Sequence, residues 1–362
     1  MTCNSPPTET ITRPVSAEKP LLRALSGHPV WPPPMWLMRQ AGRYLPEFRA
    51  YREKSPFLTR CLTPDIATEL TLQPIRRFGM DGAILFSDIL ILPHAMGQAL
   101  DFVENLGPVL TPIRDDAALE ALRPEAVTSF ISPVLETLRH LRRALPPTTS
   151  LLGFAGSPFT VSCYMVEGRS SRDYSMTREA MLKAPAFYDR LITLLTDATA
   201  EMLIAQIDAG AEAVMLFDSW AGLLPPGLFQ RYVIAPTRQI VTAIRAQYPY
   251  VKIIGFPRLA GVMAPVYARE TGIDALACDT GASLEIVAKS LPDSMALQGN
   301  LDPLILKAGG DALTREAQNI CRSMSHRPHI FNLGHGVMPE TPPEHVAMLV
   351  EAIRTQKRPD IS

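Results

Sequence analysis

The chain has 362 residues, 47% hydrophobic and 20% charged, with 35 Lys and Arg against 36 Asp and Glu for a formal charge of −1. That composition belongs to a globular protein able to bury a large core, and it excludes disorder and fibrous folds. With no basic excess there is no electrostatic reason to seek nucleic acid or an anionic membrane surface.

Residues 1–20 are polar and rich in Pro and Thr, with no apolar secretion segment and no Arg-rich amphipathic pattern, and are expected to form a flexible leader. Residues 21–355 contain no low-complexity linker and are read as one catalytic domain, with 356–362 as a tail. The 34 prolines, near twice the usual share, are spread through short connections and not pooled in a hinge.

The first apolar run, 35–38, ends in Arg39-Gln40-Ala41-Gly42-Arg43. Thr63-Pro64-Asp65 then predicts an N-cap and a first helical turn, continued by Ile66, Leu70 and Ile75 up to Gly79. A second run, 82–86, ends in Ser87-Asp88, and a longer insertion precedes a third, 150–154, which ends in Ala155-Gly156-Ser157-Pro158. Further runs at 213–217, 251–256, 273–278, 295–298 and 329–332 follow. Asp218-Ser219 closes the fourth strand, Asp279-Thr280 the sixth, Gly299-Asn300 the seventh and Gly334-His335-Gly336 the eighth. Thr341-Pro342-Pro343-Glu344 reads as a capping box for the last helix.

Each run is too short for a helix and apolar on both faces, as in a parallel sheet covered by helices. Eight strand-and-helix units predict an α/β fold, a single-domain (β/α)8 TIM barrel whose active site lies at the C-terminal ends of the strands. A doubly wound open sheet is the alternative. It would normally carry a Gly-rich phosphate loop after its first strand, and residues 39–43 are not one.

The polar residues just beyond the strand ends are the candidates for chemistry. Arg39 and Arg43, with Arg49 and Arg52 close behind, predict a polyanionic small molecule, because a guanidinium offers a permanent charge and a planar fork to carboxylates. Their ordinary alternative is surface pairing with Glu47, Glu53 or Asp65. Asp88 follows the most apolar run, where a carboxylate is desolvated unless donors or a positive charge meet it. Its ordinary alternatives are a helix cap or an internal hydrogen bond, and no neighbour in sequence offers a partner. His335 is expected to have room around its imidazole and a backbone that a ligand can approach, through the flanking glycines. Tyr164 and Ser219 are weak candidates by themselves.

Five scattered cysteines, Cys3, Cys61, Cys163, Cys278 and Cys321, form no C-x-x-C pair and suit a reducing cytosol. Seven histidines include no H-x-x-x-H and no H-x-C, so no zinc or iron site is expected. No run approaches the roughly 18 apolar residues that span a bilayer, so a cytoplasmic protein with no membrane partner is expected.

Several segments together resemble the uroporphyrinogen decarboxylase family. They are Met38-Arg39-Gln40-Ala41-Gly42-Arg43-Tyr44-Leu45-Pro46-Glu47-Phe48, Phe86-Ser87-Asp88-Ile89-Leu90, Gly153-Phe154-Ala155-Gly156-Ser157-Pro158-Phe159-Thr160, Tyr164-Met165-Val166-Glu167-Gly168, Gln298-Gly299-Asn300-Leu301-Asp302-Pro303 and Asn332-Leu333-Gly334-His335-Gly336. The likeness runs in order from about Pro32 to the last helix.

The resemblance implies a cytosolic barrel, usually a homodimer, in haem and tetrapyrrole biosynthesis. It would remove carbon dioxide from the four acetate arms of uroporphyrinogen III, giving coproporphyrinogen III, without metal or organic cofactor. Carried over by position, the substrate-binding residues are Arg39, Gln40, Ala41, Gly42, Arg43, Arg52, Asp88, Tyr164, Ser219 and His335, with Asp88, Arg39 and Tyr164 as the catalytic group. Asp88 is expected to face the pyrrole N–H groups and stabilise a transient cation. One of the two leading arginines, Arg39 in preference to Arg43, is expected to deliver or organise the proton. Tyr164, Ser219 and His335 are expected to hold peripheral carboxylates, His335 more strongly if protonated.

The chain departs from the family's usual residues at Ser157, Phe159, Arg258-Leu259 and Thr280, all expected at the pocket rim. Two rivals remain: a corrinoid-protein methyltransferase of the same barrel family, which needs a His and Cys zinc site, and a non-catalytic tetrapyrrole-binding protein.

Overall fold

A computed structural model of the chain describes residues 19–104 and 106–359. The leader expected over 1–20, and Cys3 with it, lies almost wholly outside the described residues. Its end is fixed: Lys19 Nζ donates to the Thr149 carbonyl and to Glu212, both at 2.7 Å, and Pro20 opens the helix Pro20–Leu25. At the other end, Gln356 accepts a hydrogen bond from Trp31 Nε1 and donates one to the Gln318 carbonyl, so the described part of the tail is held down.

Nine strands form. They are β1 Gly82–Ile84, β2 Leu100–Val103, β3 Gly107–Leu110, β4 Ser150–Gly156, β5 Ala213–Asp218, β6 Lys252–Pro257, β7 Ala275–Ala277, β8 Ala296–Gln298 and β9 His329–Ile330. β2 and β3 make an antiparallel hairpin inside the insertion expected after the second strand. The other seven make one parallel sheet in the order β1-β4-β5-β6-β7-β8-β9, with helices between successive strands.

The first expected strand, 35–38, is reduced to a single parallel bridge between Met35 and Phe331. Side chains take the amides that a ladder would use: Met35 N–H donates to Asp81 Oδ2, Leu37 N–H to Gln40 Oε1 and Met38 N–H to Asn332 Oδ1. Pro32, Pro33 and Pro34 just before it have no N–H to donate. The segment still touches both edges of the sheet. Phe331 N–H donates to the Pro34 carbonyl and Trp36 N–H to the Phe331 carbonyl on the β9 side, while Asp81 N–H donates to the Met35 carbonyl on the β1 side.

Both faces of the strands are buried, as the apolar runs require. Alternate residues divide between two clusters: Met215, Ile254 and Phe256 join Trp36 and Met38 inside the curl, and Val214, Leu216 and Ile253 pack under the helices. Phe217 and Phe256 are register partners on β5 and β6 with rings 6.2 Å apart, and Phe154 on β4 lies 5.6 Å from Phe217.

Two expected caps form differently. The helix Pro64–Phe78 starts where expected and ends at Gly79 in the left-handed region, but Thr63 Oγ1 donates back to the Thr59 carbonyl and caps nothing. The last helix, Pro343–Arg354, has Pro342 at its N-cap position. Thr341 is buried with its hydroxyl unpartnered, so no capping box exists there. In both places a proline at the start of the helix supplies the entry geometry that the hydroxyl does not.

Candidate active site

The loop after β1 carries Asp88. Thr71, buried on the helix Pro64–Phe78, accepts the Phe86 N–H at 3.0 Å and fixes the chain as it leaves the sheet. Asp88 Oδ1 then accepts the N–H of Leu90 at 2.8 Å, so a partner does exist nearby in sequence, contrary to the expectation. The bond is a local Asx-type turn and leaves the second oxygen uncommitted. Burial pushes the Asp88 pKa up to about 6 from 3.8, while the Leu90 amide and the Arg39 charge pull it down. Among the described residues no Lys or Arg lies within ion-pair distance of it.

Arg39 is the charge that Asp88 feels. Its backbone stands at φ 62°, the left-handed region that non-glycine residues rarely occupy, and such strain persists only where the surroundings enforce it. Its side chain lies across Gly336. His335 lies in reach of both Arg39 and Arg258. Burial, then Arg39, then Arg258, lower its pKa to about 4. The imidazole is therefore neutral near pH 7, so the condition attached to its stronger grip, a protonated ring, is not met by the protein's own surroundings. The glycines around it also act differently from expectation. A β-carbon on Gly334 would come within 2.3 Å of the Thr280 amide nitrogen, and one on Gly336 within 2.3 Å of Arg39 Cδ. Both glycines make room for the protein's own neighbours and not for a ligand.

Gln40 is a further correction. It is 1% exposed, its Oε1 accepts from Leu37 N–H and its Nε2 donates to the Gly82 carbonyl, so the amide is spent holding the first loop on β1. Ala41 packs against the core, and Gly42 lets the chain turn: a β-carbon there would stand 2.8 Å from the Arg39 carbonyl. Arg43 is exposed, with its carbonyl accepting from Arg49 Nη1. Arg52 makes an exposed pair with Glu104, next to β2, at 3.4 Å, the surface reading with a different acid from those expected. No recorded contact ties Arg43 or Arg52 to Asp88.

Tyr164 lies on the helix Pro158–Glu167, with the rings of Tyr174 and Trp220 at 5.6 and 6.5 Å. Ser219 follows the last residue of β5, and its carbonyl accepts from Arg258 Nη1 at 3.5 Å. Arg39, Asp88 and His335 thus form one electrostatic group, which Arg258 extends toward Tyr164 and Ser219.

Two members of this region were missed. Arg258 follows β6, the one strand end whose polar residue was not considered beyond its departure from a family pattern. Asp218, the last residue of β5, is fully buried; its Oδ1 accepts from Thr160 Oγ1 at 2.6 Å and its Oδ2 has no partner. Thr160 Oγ1 in turn accepts the Trp220 N–H at 3.1 Å. Burial pushes the Asp218 pKa up to about 7, and the bonds from Thr160 pull it down. The same signal that marks Asp88, an acid directly after an apolar run, was present.

Of the family departures, Ser157 and Phe159 are fully buried and shape no rim. Leu259 is 51% exposed, and Thr280 fits beside Gly334. Cys61, Cys163, Cys278 and Cys321 are free and buried. Among the described residues no group of three His, Cys, Asp or Glu could hold a metal ion, and no helix is long and apolar enough to cross a membrane.

Comparison with known proteins gives a consistent result. The profile of the family described as Uroporphyrinogen decarboxylase (URO-D) matches residues 16–356. A relative from Gluconobacter oxydans named uroporphyrinogen decarboxylase is 64% identical over 342 residues, covering 93% of this chain and 97% of the relative. Another of that name from Gluconacetobacter diazotrophicus is 62% identical over 346 residues, 93% of this chain and 98% of the relative. Among solved structures, a methyltransferase from Methanosarcina mazei superposes with a TM-score of 0.72 at 19% identity, over 92% of this chain and 96% of that one; the likeness is one of fold.

Proposed function

Since the chain belongs to the uroporphyrinogen decarboxylase family and is a carboxy-lyase of tetrapyrrole biosynthesis, we propose that its chemistry is centred on Asp88 and served by the arginines and the imidazole around it. The methyltransferase reading rests on a likeness of fold alone and is not favoured.

Loss of carbon dioxide from an acetate arm leaves an electron pair that needs a sink, and most decarboxylases borrow one from a cofactor. In the proposed reaction the substrate supplies its own. Protonation of a pyrrole α-carbon makes the ring cationic; the bond to the carboxyl carbon breaks, and its electrons neutralise the ring. A proton then adds to the exocyclic carbon to give the methyl group, and the α-carbon proton leaves. Four such rounds convert uroporphyrinogen III to coproporphyrinogen III with no metal or organic cofactor.

Asp88 would stabilise the cationic ring through its pyrrole N–H groups. The observation that carries this reading is its geometry: one oxygen fixed by the Leu90 amide, the other uncommitted, and, among the described residues, no arginine or lysine within ion-pair distance. Arg39 lies near enough to influence Asp88 and is the preferred group to organise the proton. Arg39, Arg43, Arg52, Tyr164, Ser219 and neutral His335 would receive peripheral carboxylates. Gln40, Ala41 and Gly42 would contribute by setting the loop that aims Arg39.

In this reading the parallel sheet and the Met35 segment are one (β/α)8 barrel forming a single domain. Its active site lies where Arg39, Asp88, Ser219 and His335 follow the Met35 segment, β1, β5 and β9. A homodimer in the cytoplasm, serving haem synthesis, belongs to the same proposal. Anaerobic turnover of reduced uroporphyrinogen, with carboxyls counted on the oxidised product, tests it. Loss of four carboxyls is expected, and binding without turnover would leave only a tetrapyrrole-binding protein. Sedimentation at micromolar concentration tests the dimer, which a single monomeric species would remove.

A further inference from the structure

Among the described residues the guanidinium of Arg258 forms no ion pair, in a place where one is needed. Arg258 directly follows β6, and its backbone is held on both sides: its N–H donates to the Asp218 carbonyl at 3.0 Å and its carbonyl accepts the Gly222 N–H at 3.0 Å. The side chain is therefore aimed by the sheet. Its recorded side-chain hydrogen bond is the 3.5 Å contact from Nη1 to the Ser219 carbonyl. The acid whose charge Arg258 feels most, Asp279, is committed elsewhere. Its Oδ2 accepts from Leu259 N–H at 2.6 Å and its Oδ1 from Gly281 N–H at 2.8 Å, and it forms no ion pair with Arg258 among the described residues.

Arg258 also feels a second positive charge, that of Arg39, and Tyr164 and His335 lie within its electrostatic reach. Burial and Arg39 both press its pKa below the usual arginine value, with Asp279 only partly opposing them. A partly buried guanidinium kept charged beside another guanidinium is costly unless an anion joins them. A carboxylate satisfies the planar fork directly.

We propose that Arg258 binds a peripheral carboxylate of the substrate at the edge of the site, beside Ser219 and across from Arg39. This rests on the decarboxylase reading above and adds a residue to it. Lysine could supply the charge at this position but not the fork, so the Arg258-Leu259 departure becomes a feature of how this chain grips its substrate.

The test uses the full chain with Arg258→Met and Arg258→Lys, each checked for an unchanged thermal transition. Steady-state turnover of uroporphyrinogen should show KM raised about tenfold in Arg258→Met, with kcat changed less than threefold, and partial recovery of KM in Arg258→Lys. Equilibrium binding of oxidised uroporphyrin III, followed by fluorescence at low and moderate salt, should weaken in parallel and lose part of its salt dependence. An unchanged KM and unchanged binding in Arg258→Met would overturn the assignment, as would a pure fall in kcat. If the wild-type chain releases no carbon dioxide the decarboxylase reading fails instead, an outcome read before any variant is made. Should Arg258→Met melt early, Arg258→Lys and Arg258→Gln carry the comparison.

Discussion

Arg39 lies directly over Gly336, so closely that a β-carbon on the glycine would stand 2.3 Å from Arg39 Cδ and 2.7 Å from Cγ. The last strand's loop thus provides a flat bed for an arginine carried by the first loop. The contact sets where that guanidinium ends relative to Asp88 and His335.

Gly336→Ala should therefore act on catalysis more than on folding. The atoms it meets belong to a flexible side chain that can swing away, while Arg39 itself, exposed and in no ion pair among the described residues, supports little of the core. A thermal transition within a few degrees of wild type with at least about a tenfold loss in kcat/KM is expected. Unchanged kcat/KM would show that the resting place of Arg39 is unimportant.

Asp88→Asn keeps the shape and removes the charge. A fall in kcat of at least about 10²-fold is expected, the scale of losing one electrostatic stabiliser, and near-normal turnover would remove Asp88 from the mechanism. The wild-type kcat should decline as pH falls through about 6, where the carboxylate takes up its proton. Any residual activity of the variant should lack that limb.

His335 gives a different pH signature. Its folded pKa of about 4 lies below the ordinary 6.5, so the unfolded chain binds this proton more readily. The stability associated with the neutral imidazole is present above 6.5 and is lost as pH falls toward 4. NMR titration of the unliganded protein should find His335 neutral at pH 7, and a value at or above 6.5 would contradict the crowding by Arg39 and Arg258. A bound carboxylate should raise the value and draw in protons, measurable as buffer-dependent binding heat.

Asp218→Asn tests the buried carboxyl behind Ser219. The folded pKa is raised to about 7, so the group costs least below its unfolded value of 3.8, and the cost grows as pH rises to about 7 and then levels off. Asparagine can still accept the Thr160 hydroxyl. The variant should match wild type near pH 4 and be more stable at pH 8, by an amount on the order of 1–4 kcal/mol. Equal denaturant midpoints at both pH values would mean that Asp218 is not desolvated.

Most of the sheet was legible because a strand covered on both faces needs an unbroken apolar run, and seven of eight such runs became strands. The eighth failed at Met35, Leu37 and Met38 for a reason no periodicity carries: Asp81 and Asn332 arrive from elsewhere in the fold, Gln40 turns back from three residues on, and the three take the amides. The same blindness hid the duty of Gln40, which reads as one more polar residue in a motif until Gly82 is seen beneath it. Asp88 was legible from its apolar approach, and its Leu90 contact only from the turn itself. The charge of His335 depends on arginines 296 and 77 positions away in the chain, so whether the ring is protonated was not legible from its neighbours in sequence.

The three residues Pro34, Met35 and Trp36 fasten the two margins of the sheet, and Arg39 sits three positions further on. Clasp and arginine arm therefore share one short tether. Any breathing that unzips this seam drags the guanidinium off its bed, so loss of function should precede global melting on heating. A tighter seam would lengthen the working life of the catalyst without touching its chemistry.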